Sequence, residues 1–162
     1  MILYHGSSKI IYKISFDECN LRTDFGKGFY MGSKLGEARK WAVGKAGFSG
    51  IPAVMRYNVN DRVLKDQVVN PLIFYAPTLE WLNFVRDNRR ICAPNIPTSE
   101  PRHPFGAVSG PVADDKANVV VADYCKDKID TSEALYRIRT IPKTYQLSLH
   151  AQFALTYIIQ AE

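Results

Sequence analysis

Apolar positions fall along the chain in short runs, some alternating and some at helical spacing. Residues 1–5 read as a strand that begins at once, and Gly6-Ser7-Ser8 as the turn that ends it. Phe29-Tyr30-Met31 is a second β-prone run, entered through Asp24-Phe25-Gly26-Lys27-Gly28. Gly26 and Gly28 flank Lys27, so the backbone there can take φ > 0 or admit a ligand closely. Ser33 is placed to cap a helix with Glu37 in its first turn, and Leu35, Ala38, Trp41 and Ala42 recur at helical spacing. Gly44, Gly47, Ser49-Gly50 and Pro52 then read as a connector, residues 52–59 as a strand, and Asn60-Asp61 as a turn. Residues 63–74 hold room for one short strand.

Thr78 caps a predicted helix over 79–88, with Trp81, Leu82, Phe84 and Val85 on its apolar side. Residues 93–104 carry four prolines and read as an irregular loop. Ser109-Gly110-Pro111 breaks regular structure within 108–113. Asp114-Asp115 caps a helix or turn into 118–124. Thr131-Ser132-Glu133 starts a helix through 138 by its capping chemistry, and Pro142 ends that region. Residues 145–150 alternate as a strand, with Tyr145, Leu147 and Leu149 on one side and Gln146, Ser148 and His150 on the other. Residues 151–159 read as a closing helix. No repeat, low-complexity run or linker interrupts the pattern, so it implies one α+β domain over 1–162.

A chain of 162 residues suits one domain. At that size folding buries roughly 70% of the exposed surface, so no disulfide or metal staple is needed. Net charge is +5, with the basic residues scattered and no arginine-rich tract. That permits a polyanionic partner without demanding one. Cys19, Cys92 and Cys125 are far apart and form no CxxC or Cys/His cluster, which suggests neither a zinc site nor a disulfide framework and fits a reducing cytoplasm. The first residues lack signal-peptide character, and no run of about 18 apolar residues could span a membrane.

Three polar side chains stand on or beside predicted strands in apolar surroundings: His5, Tyr30 and Gln146. Taken singly, each has a bland reading, as a satisfied structural histidine, a core ring and a solvent-facing amide. Tyr30 and Trp41 stand at the two ends of one strand-to-helix corner, a place suited to clamping a planar ligand or to simple burial. Gly26-Lys27-Gly28 lacks the spacing and the Lys-Ser/Thr step of a P-loop, and no G-x-G-x-x-G supports a Rossmann site. No G-x-S-x-G word supports a hydrolase triad.

The words Tyr4-His5-Gly6-Ser7 and Phe25-Gly26-Lys27-Gly28-Phe29-Tyr30 resemble the first two motifs of the ADP-ribosyltransferase superfamily, in its diphtheria-toxin and poly(ADP-ribose)-polymerase branch with the H-Y-[EQ] signature. Residues 24–30 with Ala38 and Trp41-Ala42, residues 80–85 with Asn88-Arg89, residues 110–115 and residues 146–150 resemble a small bacterial domain family found in toxin–antitoxin-like settings. The resemblance spans nearly the whole chain, although the proline loop carries nothing diagnostic. It implies an α+β fold with a split β-sheet core and flanking helices, and NAD as co-substrate with no metal. It also implies a cytoplasmic, toxin-like mono-ADP-ribosyltransferase with a protein or nucleic-acid acceptor and a cognate antitoxin.

The resemblance also assigns roles. Gly6 main-chain atoms would read the nicotinamide carboxamide, and Tyr30 and Trp41 would stack on its ring, at roughly 1–3 kcal/mol per ring. His5 would bond a ribose hydroxyl of the adenosine half with Ser7 assisting, and Arg22 would meet the pyrophosphate. Gln146 stands where the third motif has Glu. An amide keeps a hydrogen bond to the nicotinamide ribose but loses the charge, a difference of about 1–2 kcal/mol, on the order of tenfold in rate. Asp114 and Asp115 are candidates to restore that charge. The rival readings are a non-catalytic NAD or ADP-ribose-binding module, an NAD glycohydrolase, and the RNA 2′-phosphotransferase variant of the fold.

Overall fold

Among the described residues β1 (Ile2–Ser7), β2 (Phe29–Gly32), β3 (Ala53–Val59), β4 (Pro71–Ile73), β5 (Ala107–Pro111), β6 (Tyr145–Leu149) and β7 (Ile158–Ala161) build one curled sheet, in the order β4-β5-β6-β2-β1-β3-β7, with the clearest alternation of buried and less buried positions on β2 and β3. The computed structural model of the protein describes residues 1–89, 103–113, 115–141 and 144–161. Among the described residues four helices accompany the sheet: α1 (Leu35–Ala46), α2 (Leu79–Arg89), α3 (Asp115–Cys125) and α4 (Thr131–Arg139). Residues 93–102 of the proline loop, together with Cys92, Asp114 and Pro142, lie outside the described residues. All neighbouring strands run antiparallel except β4 and β5.

Because successive residues of a strand face opposite sides of the sheet, the buried residues fall into two cores. Phe29, Met31, Leu147 and Leu149 enter one core with Leu3, Met55, Tyr57 and Val59. Phe25, Phe74, Trp81, Leu82, Val85, Val108 and residues of α3 and α4 form the other, with Tyr30 packed against it. The sheet is held together least at its middle. β1 meets β2 through the single register pair Tyr4 and Gly32, whereas β1 meets β3 along the whole of residues 2–7. Beyond Tyr4 the two strands part, and the His5 side chain closes the gap by bonding the Tyr30 carbonyl at 2.6 Å.

Several local expectations change. Gly6 and Ser7 belong to β1 rather than to a turn. A Cβ on Gly6 would lie 2.0 Å from the Ala38 carbonyl oxygen and 2.8 Å from the Ala42 nitrogen, so a glycine here is what lets α1 lie directly on the strand. That close approach also chooses the buried face of α1. Ala38, Ala42 and Ala46 are buried, while the larger Leu35 and Trp41 are 36% and 58% exposed. Lys34, not Ser33, occupies the α1 cap, with no side-chain capping bond.

Residues 108–113 are not broken by Ser109-Gly110-Pro111, because these residues lie in β5 with Pro111 at its end. Gly110 is small there because Phe25 and Phe74 press on it. The closing helix is instead a 3-10 turn (Gln152–Tyr157) followed by β7, which adds Ile158 and its neighbours to the edge of β3. The Thr78 cap forms as expected, its hydroxyl accepting from Trp81 N, whereas α4 is capped by Asp130, whose carboxylate accepts from Glu133 N, so Thr131 and Ser132 lie inside the helix and not at its cap.

Candidate functional site

The glycine loop ahead of β2 is gripped from several directions. The chain has three histidines, and each bonds a main-chain carbonyl of residues 25–30. His5 Nδ1 reaches Tyr30 O, His103 Nε2 reaches Phe25 O at 2.8 Å, and His150 Nδ1 reaches Lys27 O at 2.8 Å. A carbonyl only accepts, so the ring nitrogen carries the proton in each case. The Tyr30 hydroxyl donates to Gly26 O at 2.7 Å and accepts from Phe25 N at 2.9 Å. Gly26 takes φ +81°, and a Cβ there would sit 2.7 Å from Asn88 Oδ1. A Cβ on Gly28 would strike the His150 ring at 2.6 Å. The two glycines are therefore explained by a loop locked from within.

Asp24 is the hub beside this loop. It is 8% exposed. Its Oδ1 accepts from Arg89 Nε at 3.0 Å and Nη2 at 2.5 Å, and its Oδ2 accepts from Ala113 N at 3.1 Å and Gln146 Nε2 at 2.9 Å. Arg89 in turn donates to Asn118 Oδ1 at 2.8 Å. Segments remote in sequence, at the end of α2, after β5 and on β6, thus meet one carboxylate. Asp24 and Arg89 cancel each other's charge, so this centre offers hydrogen bonds without a net charge.

The Asp24 carboxylate can only accept, so it turns the Gln146 NH₂ toward itself and leaves Oε1 facing away. Among the described residues nothing bonds that Oε1. Gln146 pairs across β2 with Gly32, which pairs on its other side with Tyr4. A Cβ at Gly32 would meet nothing within 4 Å, so open space stands above the strand between Tyr4 and Gln146. Tyr30, two residues along β2, shares this face.

The arrangement also explains an amide at position 146. A carboxylate there would face Asp24 at hydrogen-bond distance, and the pair would have to hold a proton between them. Gln146→Glu is expected to lose about 1.5–3 kcal/mol at neutral pH through the lost bond to a charged partner. The repulsion raises the folded pKa of the carboxyl pair. The deficit therefore shrinks as pH falls from 7 toward 5 and grows as pH rises, which thermal melts of variant and parent across that range would detect.

Histidine electrostatics follow from burial. His5 is held below its usual value by desolvation, against the Tyr30 bond that raises it, with Lys45 lowering it further. Neutral His5 therefore carries its proton on Nδ1 and presents Nε2 as an acceptor, which no described residue occupies. His150 is pulled down to about 4, chiefly by desolvation. Its Nε2 lies 2.8 Å from the Ser148 hydroxyl, which donates to it while the ring is neutral. Burial, with lesser help from Asp24, pushes the Tyr30 phenol far above its ordinary range, so Tyr30 acts as a proton donor and never as a phenolate.

Of the residues singled out in the sequence, Tyr30 and Gln146 share one face of the sheet. Gly6 lies on that face of β1 beneath α1. His5 lies on the far side of β2 from the Tyr30 ring, stacked on Phe29 with centroids 4.5 Å apart. The Tyr30 carbonyl is the link between them. Ser7 is buried, and its hydroxyl accepts from Lys9 N at 3.4 Å. Trp41 stands on an exposed flank of α1, and among the described residues no ring contact joins it to Tyr30. Arg22 is exposed.

Asp24, Arg89, His103 and His150 were not read as site residues. Only the placing of Asp24 and Arg89 inside two resembling words hinted at their meeting. Among the described residues no three His, Cys, Asp or Glu side chains gather as metal ligands, and no helix is long and apolar enough to cross a membrane.

A family model described as a protein of unknown function, DUF3990, matches residues 1–159. The chain belongs to the DUF3990 family. No curated protein and no solved structure matches it. The match takes in β1, the glycine loop, the Asp24 hub and β6, so the DUF3990 segment contains every residue of the site just described.

Proposed function

We propose that the chain is an ADP-ribosyltransferase-like domain that binds NAD in the parting of its sheet and transfers ADP-ribose slowly to a macromolecule. The observation that carries the reading is the Gln146 amide, fixed by Asp24 so that its oxygen is an obligate acceptor beside the open space over Gly32. Such an oxygen selects a hydroxyl donor, as on the nicotinamide ribose. The single bridge between β1 and β2 supports the split-sheet form of the fold. The exposed Trp41 ring offers a flat surface to a base, whereas His5, on the other face of β1, holds the Tyr30 carbonyl and not the sugar bound over Gly32.

Charge decides how fast this site can work. Breaking the nicotinamide–ribose bond builds positive charge on the ribose, and a site speeds that step by holding negative charge near it. Asp24 is neutralised by Arg89, and Gln146 carries none. The site therefore binds and orients the dinucleotide more strongly than it drives cleavage. A non-catalytic NAD-binding module is the second reading, favoured by this same balance. In a toxin–antitoxin setting, an antitoxin covering the open space over Gly32 would silence either form.

Incubation with adenylate-labelled NAD and a whole-cell lysate tests the reading. Label that enters macromolecules, with stoichiometric nicotinamide release, supports transfer, and nuclease or protease digestion then names the acceptor class. Nicotinamide release without labelling supports a glycohydrolase. NAD binding without release supports the binding module. Absence of binding, release and labelling together would overturn all three.

A further inference from the structure

One end of the sheet carries large apolar side chains that the fold leaves in water. The register pair Ser7 and Ala53 marks that end: β1 leaves the sheet there and β3 enters it. The segment after Ser7 and the segment before Ala53 therefore start side by side. The first exposes Ile10 and Tyr12, at 59% and 92%. The second exposes Ile51 at 80% and Phe48 completely. Phe48 is held out by a closed turn and not by a frayed end. Gly47 N donates to Val43 O at 3.2 Å and Gly50 N to Ala46 O at 2.8 Å, which ties the turn to the last residues of α1. Gly47 takes φ +55°, and a Cβ on Gly50 would lie 2.6 Å from Ala46 O, so the turn needs both glycines.

The same rim is basic. Residues 8–13 and 39–52 hold Lys9, Lys13, Arg39, Lys40 and Lys45, all exposed, and no carboxylate. Glu18 pairs with Lys9 and Glu37 with Lys40. With these two and Asp17 counted, positive charge is still in excess. A second copy of the chain would bring one basic rim against another. A single-stranded nucleic acid would stack on Tyr12 and Phe48 but gain little from Ile10 and Ile51. An anionic bilayer suits both features: rings and aliphatic tips enter the boundary between headgroups and acyl chains, while lysine and arginine stems keep their charge among acidic headgroups. We propose that this rim docks the domain on an anionic membrane surface, with Phe48 and Ile51 inserted and Lys13, Arg39 and Lys45 against the headgroups. This docking is independent of the NAD reading. Tyr4, beside the Gly32 space, lies three residues back along β1 from Ser7, about 10 Å at about 3.3 Å per residue, so lipid and ligand do not compete for one place.

Co-sedimentation of the full chain with vesicles of phosphatidylcholine alone, or of phosphatidylcholine with phosphatidylglycerol, tests the docking. The chain is expected to bind the second kind and not the first, and to bind less as salt rises. Phe48→Ala and Ile51→Ala should each weaken binding roughly tenfold, and Lys45→Ala roughly fivefold. Tyr136→Ala, at an exposed ring on α4, should bind as the parent does. All four side chains are exposed, and thermal melts that match the parent establish that the variants fold. No binding to phosphatidylglycerol vesicles, equal binding to both kinds, or binding that Phe48→Ala and Ile51→Ala leave intact would overturn the proposal. A concentration-dependent dimer, or retention on single-stranded RNA, that appears in place of vesicle binding and is abolished by Phe48→Ala would also overturn it and assign the rim to that occupant.

Discussion

Asp24→Ala is expected to lower the unfolding free energy by about 3–5 kcal/mol, because it leaves a partly buried guanidinium without its counter-charge. Asp24 and Arg89 have side-chain exposures of 10% and 20%, so water screens little of the loss. The same substitution strands the Ala113 N–H and releases the Gln146 amide. Asp24→Asn keeps an acceptor for some of these donors and should lose less. Denaturant unfolding of parent and variants provides the values. A loss below about 1 kcal/mol for Asp24→Ala would show that the four segments are held together by something else. Tyr30→Ala, by contrast, is a poor functional probe, since the ring packs on Phe25 and its hydroxyl makes two bonds within the glycine loop. Tyr30→Phe separates the hydroxyl from the ring.

Acid is expected to loosen the glycine loop well above the pH at which carboxylates protonate. All three histidines titrate below their usual value when folded. The unfolded chain therefore binds their protons more readily. Each contributes stability that is complete above about pH 6.5 and lost as pH falls toward its folded pKa. For His150, drawn down from 6.5 to about 4, the loss across that window is about 3 kcal/mol. Protonation also removes the Nε2 acceptor, so the Ser148 hydroxyl must turn to Val108 O, 3.3 Å away. Unfolding free energies measured at pH 7 and pH 4.5 should differ by about this much, and His150→Gln should flatten the dependence. A parent whose stability is level across that window would contradict the assignment.

Much of this arrangement was legible in the chain, and the failures have physical causes. β1, β2 and β6 announce themselves because one face of each is buried, so apolar residues alternate. α1 reads as a helix from Leu35, Ala38, Trp41 and Ala42, of which the structure buries the two alanines, because contact with Gly6 admits nothing larger, and leaves Trp41 outside. β5 hid behind Ser-Gly-Pro, because Gly110 is small to make room for Phe25 and Phe74, not to make a turn. β7 reads as helix in the sequence because a four-residue edge strand has too few positions to display its period. At the site, Gln146 and Tyr30 stood out as polar groups in apolar strands. Asp24 did not, since an aspartate before a glycine loop looks like any turn residue. Its partners lie as many as 122 positions away and are joined only by folding.

Calorimetric titration of NAD into the parent and into Gln146→Ala, at a temperature where both are folded, bears most directly on the proposed activity. The expected result is one site per chain in the parent, weakened roughly tenfold when the amide acceptor is removed. A parent that gives no binding heat with either NAD or ADP-ribose, or a variant that binds NAD as tightly as the parent, would contradict it.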